Sequence, residues 1–96
     1  MFGDMKQLLN IKKQADRIKQ ELDNLEVESS EVRGIRIVMT GSQNLRSIEI
    51  DENLLERDNK QRLEADLLRS INAAIKKAQK FAAQKMKDVM PGFPGQ

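Results

Sequence analysis

Catalysis and metal binding need side chains that can carry a proton, form a covalent bond or hold a cation. This chain of 96 residues has neither histidine nor cysteine. The usual Ser-His and Cys-His nucleophile systems, the common zinc sites and all disulfides are therefore excluded. Asp51, Glu52, Glu56 and Asp58 form its one carboxylate cluster. Such a cluster can in principle hold a hard cation, but it lacks the alternating ligands and central glycine of a calcium loop. A surface loop with helix capping explains it better. No glycine-rich phosphate loop is present, so the expectation is a protein without catalysis, cofactor, metal or small-molecule substrate.

The basic residues offer a different chemistry. Arg69, Lys76, Lys77, Lys80 and Lys87 follow one another with no Asp or Glu between the first and the last. Phosphates are regularly spaced anions that carry no sequence information, and lysine meets them as a flexible point charge. Base edges are read better by arginine or amides in a fixed fork, and residues 75–90 contain no arginine. Duplex DNA bound by this series would be bound with weak sequence discrimination. Lys12, Lys13, Arg17 and Lys19 form a second basic group, interrupted by Asp16, Glu21 and Asp23. For both groups the plain alternative is a solvated helix back. Phe2, Phe81 and Phe93 are the only aromatic residues, too few for the base stacking of single-strand or RNA modules.

The element that must position the first series runs from Lys60 to Met90, without glycine or proline. Leu63, Leu67, Ile71, Ala74, Ile75, Ala78, Ala82, Met86 and Val89 return every three or four residues, which predicts one amphipathic helix of roughly 45 Å. Asp58 and Gln61 fit a capping box and place its start near Asn59. Pro91 ends it by Met90, and residues 91–96 read as a disordered tail.

Residues 4–24 predict the other helix, with Leu8, Ile11, Ala15, Ile18, Leu22 and Leu25 on a heptad seam. Then the period changes to two. Leu25 and Val27, then Ile35, Ile37 and Met39, then Ile48 and Ile50 alternate with mostly polar neighbours, predicting three short strands with one wet face each. Gly34 marks the first connection and residues 41–44 the second, which implies an antiparallel meander. The acidic segment 51–57 reads as a turn whose Leu54 and Leu55 tuck under the sheet edge.

The fold class is therefore α+β: N-terminal helix, three-stranded antiparallel meander, long C-terminal helix, within one domain over residues 1–90. A chain of this size cannot easily cover so long an apolar face. The expectation is a homodimer whose interface includes Leu67, Ile71, Ile75, Ala78 and Ala82. The net charge of +2 conceals a separation, with +1 over residues 1–24, −4 over 25–58 and +5 over 59–96. Such a basic third points to a nucleic-acid partner. Neither a membrane-spanning segment nor a secretory signal is read from the sequence, which makes a cytoplasmic location the expectation.

The order of elements, the opening Met-Phe-Gly, the stretch from Ser47 to Asp58, and the following Leu63-Glu64-Ala65-Asp66-Leu67-Leu68 and Ile71-Asn72-Ala73-Ala74 resemble the YbaB/EbfC family of bacterial nucleoid-associated proteins. The resemblance covers nearly the whole chain, and its most specific part is the acidic Leu-Leu turn followed by the Asn-Ala-Ala helix. It implies a cytoplasmic, nucleoid-associated homodimer with paired helices projecting like tweezers, which binds DNA and takes part in nucleoid organisation and gene regulation. The family's DNA contacts lie on outer charged helix faces. On that region the local sequence supplies Arg69, Lys76, Lys77, Lys80 and Lys87, with Lys12, Lys13, Arg17 and Lys19 as a further set. One departure is the connection after the first strand, usually glycine-rich, which here is Ser29-Ser30-Glu31-Val32-Arg33-Gly34 with a single glycine. The rival reading is a dimeric protein-interaction module whose lysines only keep it soluble.

The composition generates a first prediction. With no metal expected to contribute to folding, excess chelator should leave the thermal unfolding midpoint unchanged by circular dichroism. A drop of several degrees would show that the acidic cluster holds an ion.

Overall fold

Alternation of apolar and polar residues builds a sheet only when another layer covers its apolar side. A computed structural model of the protein describes residues 2–89, with side-chain surroundings for residues 5–88. Its elements are α1 (Phe2–Asn24), β1 (Glu26–Ser29), β2 (Ile35–Thr40), β3 (Leu45–Ile50) and α2 (Lys60–Val89). The strands form an antiparallel meander in the order β1-β2-β3. Residues 90–96, including the tail read as disordered, lie outside the described residues. No described helix is long and apolar enough to cross a membrane.

Val27, Ile35, Ile37 and Met39 point to one side of the sheet, where Ala74 and Ala78 of α2 close over them. Ser70, Ala74 and Ala78 recur every fourth residue, so three small side chains fall in line and the helix can approach the strands closely. The Ser70 hydroxyl is buried but donates to the Asp66 carbonyl at 2.7 Å. Leu63, Leu67, Ile71 and Ile75 pack around the same core, half-buried.

Within one subunit Ala78, one of the expected interface residues, is fully buried, while Leu67, Ile71 and Ile75 are half-buried beside the same core and Ala82 is half-buried as well. Periodicity identifies a face that needs cover, but not whether the cover is the chain's own sheet.

The heptad seam of α1 divides. Ile18 is buried, whereas Met5, Leu8, Leu9 and Ile11 are all more than half exposed. α1 and α2 give the molecule a long axis of 66 Å against 22 and 17 Å across. The last turn of α1 is fixed to the β2–β3 turn: Ser42 donates to the Asp23 carboxylate at 2.5 Å, and Arg46 to the Asp23 carbonyl at 3.3 Å.

Several local expectations shift. β1 begins one residue later than the alternation implied, and β3 begins at Leu45. Central strand β2 has no fully wet face, since Val38 and Thr40 are buried as well. Leu54 joins the core, but Leu55 is exposed. The capping box does not form: Asp58 sits inside a 3₁₀ turn, Arg57–Asn59, that runs directly into α2. The single-glycine connection is accommodated by Gly34, which adopts φ +90° where a Cβ would come within 2.9 Å of Leu54. That backbone region is strained for residues with a side chain.

On the side of the sheet away from α2, Arg36 bridges both neighbouring strands. Its Nε donates to Glu28 Oε1 at 2.5 Å, its Nη2 to Glu28 Oε2 at 3.0 Å, and its Nη1 lies 3.2 Å from Glu49. Hydrogen bonds from Arg36 hold the Glu28 carboxyl below the usual carboxylate range.

Two predictions arise from this packing. Replacing Ile37, which is 0% exposed, with alanine should lower stability by about 2–5 kcal/mol in urea unfolding, because the cavity forms where the strands meet the helix. A loss within about 0.5 kcal/mol would mean that this core is not the stabilising one. Glu28 should titrate below an ordinary glutamate by NMR, and Arg36→Ala should restore the ordinary value. Because the folded pKa is depressed, the stability contributed by this bond is present above the unfolded carboxylate's pKa and is lost as pH falls through the folded one.

Candidate nucleic-acid interface

At about 100° per residue, positions nine apart on a helix lie half a turn from each other. Arg69 and Lys87 are each nine residues from Ala78, so both point directly away from the sheet. Lys76 and Lys80 fall within about 20° of the same line. The four make a narrow exposed ridge, roughly 27 Å from end to end.

The ridge is not uniform. Arg69 is drawn toward Glu31 in the β1–β2 connection at 3.6 Å, an exposed pair of small energetic weight. Lys76, Lys80 and Lys87 make no ion pair or side-chain hydrogen bond among the described residues. Lys77 lies off the ridge, and its Nζ donates to the backbone carbonyl of Glu28. The sequence series therefore separates into three free ammonium groups, one weakly paired guanidinium and one lysine turned toward the sheet. Sequence alone had no signal for the last, because the carbonyl it meets is 49 residues away.

Lys85, passed over in the sequence reading, is half-buried. Seven positions from Ala78, it stands on the inward stripe of α2 beyond the sheet. On α1, Lys12, Lys13 and Lys19 are exposed, and Arg17 is 3.9 Å from Glu21 one turn along. The structure thus does not merge the two basic groups into one cluster: the α2 ridge is a line, and the α1 residues are spread around their helix.

Glu28 and Glu49 flank Arg36 on the opposite side of the sheet, with Glu26 farther along, opposite Thr40. Exposed lysines thus lie along the outer side of α2, and carboxylates paired with an arginine lie behind the strands. Between the β1–β2 connection and the start of α2 lies a cleft that includes Arg33, Arg62 and Arg69. Glu31, Glu56, Asp58 and Asp66 line it too and offset those charges.

Asp51 of the acidic cluster accepts a hydrogen bond from the Asn53 N–H at 3.0 Å and so caps the first 3₁₀ turn, Glu52–Leu54. Among the described residues, no three carboxylates come together in a way that could hold a metal ion.

Comparison with known proteins bears on the family and the fold. A nucleoid-associated protein of Methylocella silvestris is 32% identical over 94 residues, covering 97% of this chain and 88% of the relative. One of Dictyoglomus turgidum is 30% identical over 94 residues, covering 97% and 90%. An uncharacterized protein from Helicobacter pylori has the same fold, with a TM-score of 0.70 at 18% identity over 92% of this chain and 95% of that one. The profile of the YbaB/EbfC DNA-binding family, whose members are DNA-binding proteins and not enzymes, matches residues 1–93. With nearly its whole length matched by that profile and by nucleoid-associated relatives, this chain belongs to the YbaB/EbfC family.

Proposed function

We propose that the protein binds duplex DNA as a homodimer, mainly through phosphates, using the α2 ridge of Lys76, Lys80 and Lys87 with Arg69 at one end. The observation that carries this reading is the line of unpaired ammonium groups pointing directly away from the core. Lys76, Lys80 and Lys87 keep their charges in solvent, while Arg69 is drawn toward Glu31. Its roughly 27 Å length spans several phosphates of a duplex strand, spaced along the axis by about 3.4 Å. Lysine-to-phosphate contact gives affinity without base recognition, in keeping with a role in nucleoid organisation and gene regulation and with a location on the nucleoid in the cytoplasm.

Support for two copies comes from the apolar side chains a single subunit leaves bare: Met5, Leu8, Leu9 and Ile11 on α1, Leu45 and Ile48 on β3, Leu55 before α2, and Leu68, Phe81 and Met86 on α2. Monomeric soluble proteins seldom leave that much apolar surface in water. A second copy would also present the ridge twice, which strengthens binding by raising the effective concentration of the second contact set.

Three lysines per subunit give about six phosphate contacts per dimer, so raising salt from about 50 to 200 mM should weaken binding roughly 10³-fold through counterion release. Gel retardation should show random and defined duplexes weakening together. Lys76→Ala/Lys80→Ala/Lys87→Ala should keep helix content, since alanine is the better helix former, while lowering affinity on every duplex and flattening the salt dependence. Lys77→Ala should change DNA affinity less. Undiminished affinity with an unchanged salt slope in the triple variant would move the interface to Lys12, Lys13, Arg17 and Lys19. Absence of binding by the unmodified protein at low salt would favour a protein-interaction module.

A further inference from the structure

Arg69 is not the end of the basic ridge. Arg62 precedes Ala78 by sixteen residues, which at about 100° per residue brings it within about 20° of the line directly away from the sheet. Its side chain is exposed, with the Asp66 carboxylate 3.9 Å away. Arg62, Arg69 and Lys76 therefore follow one another at about two turns each, and the ridge from Arg62 to Lys87 is roughly 37 Å long. A duplex strand lying along it must pass over Arg69.

α2 carries no carboxylate between Arg69 and Lys87, yet one reaches this stretch from the β1–β2 connection. Glu31 Oε1 lies 3.6 Å from Arg69 Nη2. The same residue borders the hollow beside Asn72, Ala73 and Lys76, so it stands on the track and not behind it. Its backbone is held there from both sides. The Glu28 carbonyl, three residues earlier, accepts from Lys77, and Val32, the next residue, packs on the core. The Glu31 side chain itself is 49% exposed and can turn away. The neighbouring cleft is no substitute anion site, because carboxylates outnumber guanidiniums among the residues that line it.

A carboxylate and a phosphate make the same demand on a guanidinium, whose planar fork suits either one. A phosphate seated on Arg69 would also lie close to Glu31, where like charges repel. We infer that Glu31 competes with a DNA phosphate for Arg69: in the free protein it occupies that position of the track, and DNA gains the Arg69 contact only by displacing it. The inference rests on the DNA reading above and assigns a residue that sets its strength. An exposed pair of this kind is weak, so the competition tunes affinity without abolishing binding.

Gel retardation of a random duplex by the full-length protein tests this as a double-mutant cycle. Glu31→Gln keeps the shape and removes the charge, and should tighten binding about 5–10-fold at about 50 mM salt. About two further phosphate contacts per dimer become available, so raising salt to about 200 mM should weaken this variant roughly 10⁴-fold, against roughly 10³-fold for the unmodified protein. Combined with Arg69→Gln, the same change should tighten binding by no more than about 2-fold. Glu26→Gln removes an equal charge from the far side of the sheet and should also stay within about 2-fold. Helix content should be unchanged throughout, since these side chains are exposed. Equal gains from Glu26→Gln and Glu31→Gln, or a gain undiminished without Arg69, would reduce the effect to net charge and overturn the competition. Weaker binding by Glu31→Gln would overturn it too, because the carboxylate would then be holding Arg69 in place for DNA. If the unmodified protein binds and Glu31→Gln alters neither affinity nor salt slope, the competition falls and the DNA reading stands. If neither protein binds at about 50 mM salt, both fall.

Discussion

The close approach of α2 to the sheet through Ser70, Ala74 and Ala78 is the constraint on which the rest of the molecule depends. Small residues in one line let the helix lie close to the strands. Leu63 and Leu67 along that line, with Ile71 and Ile75 beside it, pack against the same core and hold the helix in one rotation. With rotation fixed, so are the side chains half a turn away. The basic ridge points outward because the core holds its opposite side, and no local feature of the lysines themselves is responsible.

The same packing explains what remains uncovered. A helix is about 10–12 Å across with its side chains, and strands are spaced at about 4.8 Å, so one helix shelters about two strands. α2 lies over β1 and β2. The first half of α1, which might have covered the third strand, leaves Met5, Leu8, Leu9 and Ile11 in solvent instead. β3 is left with a free edge and bare isoleucine, the combination that natural sheets normally blunt when it serves no partner. Lys77 shows the blunting at work on the other edge. One lysine of the basic series thus protects the sheet, while its neighbours Lys76 and Lys80 face solvent.

Charge follows the architecture. The acidic middle of the sequence becomes the strands and their turns, with Glu28 and Glu49 on either side of Arg36 on the far side of the sheet. The basic C-terminal third becomes α2. Part of the separation along the chain thereby becomes separation across the thickness of the sheet, while Glu56 and Asp58 stay beside the start of α2.

The sequence by itself determined the elements and their order. The 3.6 period of residues 60–89, the alternation at Ile35, Ile37 and Met39, and the breaks at Gly34 and residues 41–44 are local signals, since each reflects one element's need to bury one side. The absence of His and Cys and the unbroken basic run from Arg69 to Lys87 were equally legible. Only the tertiary structure decided who covers whom. Ala74 and Ala78 of α2 are buried within the subunit, apolar surface stays bare on α1, β3 and α2 at Leu68, Phe81 and Met86, and Lys77 leaves the ridge for the Glu28 carbonyl. Those outcomes depend on contacts between residues tens of positions apart, and a hydrophobic period records that a side must be buried without recording against what.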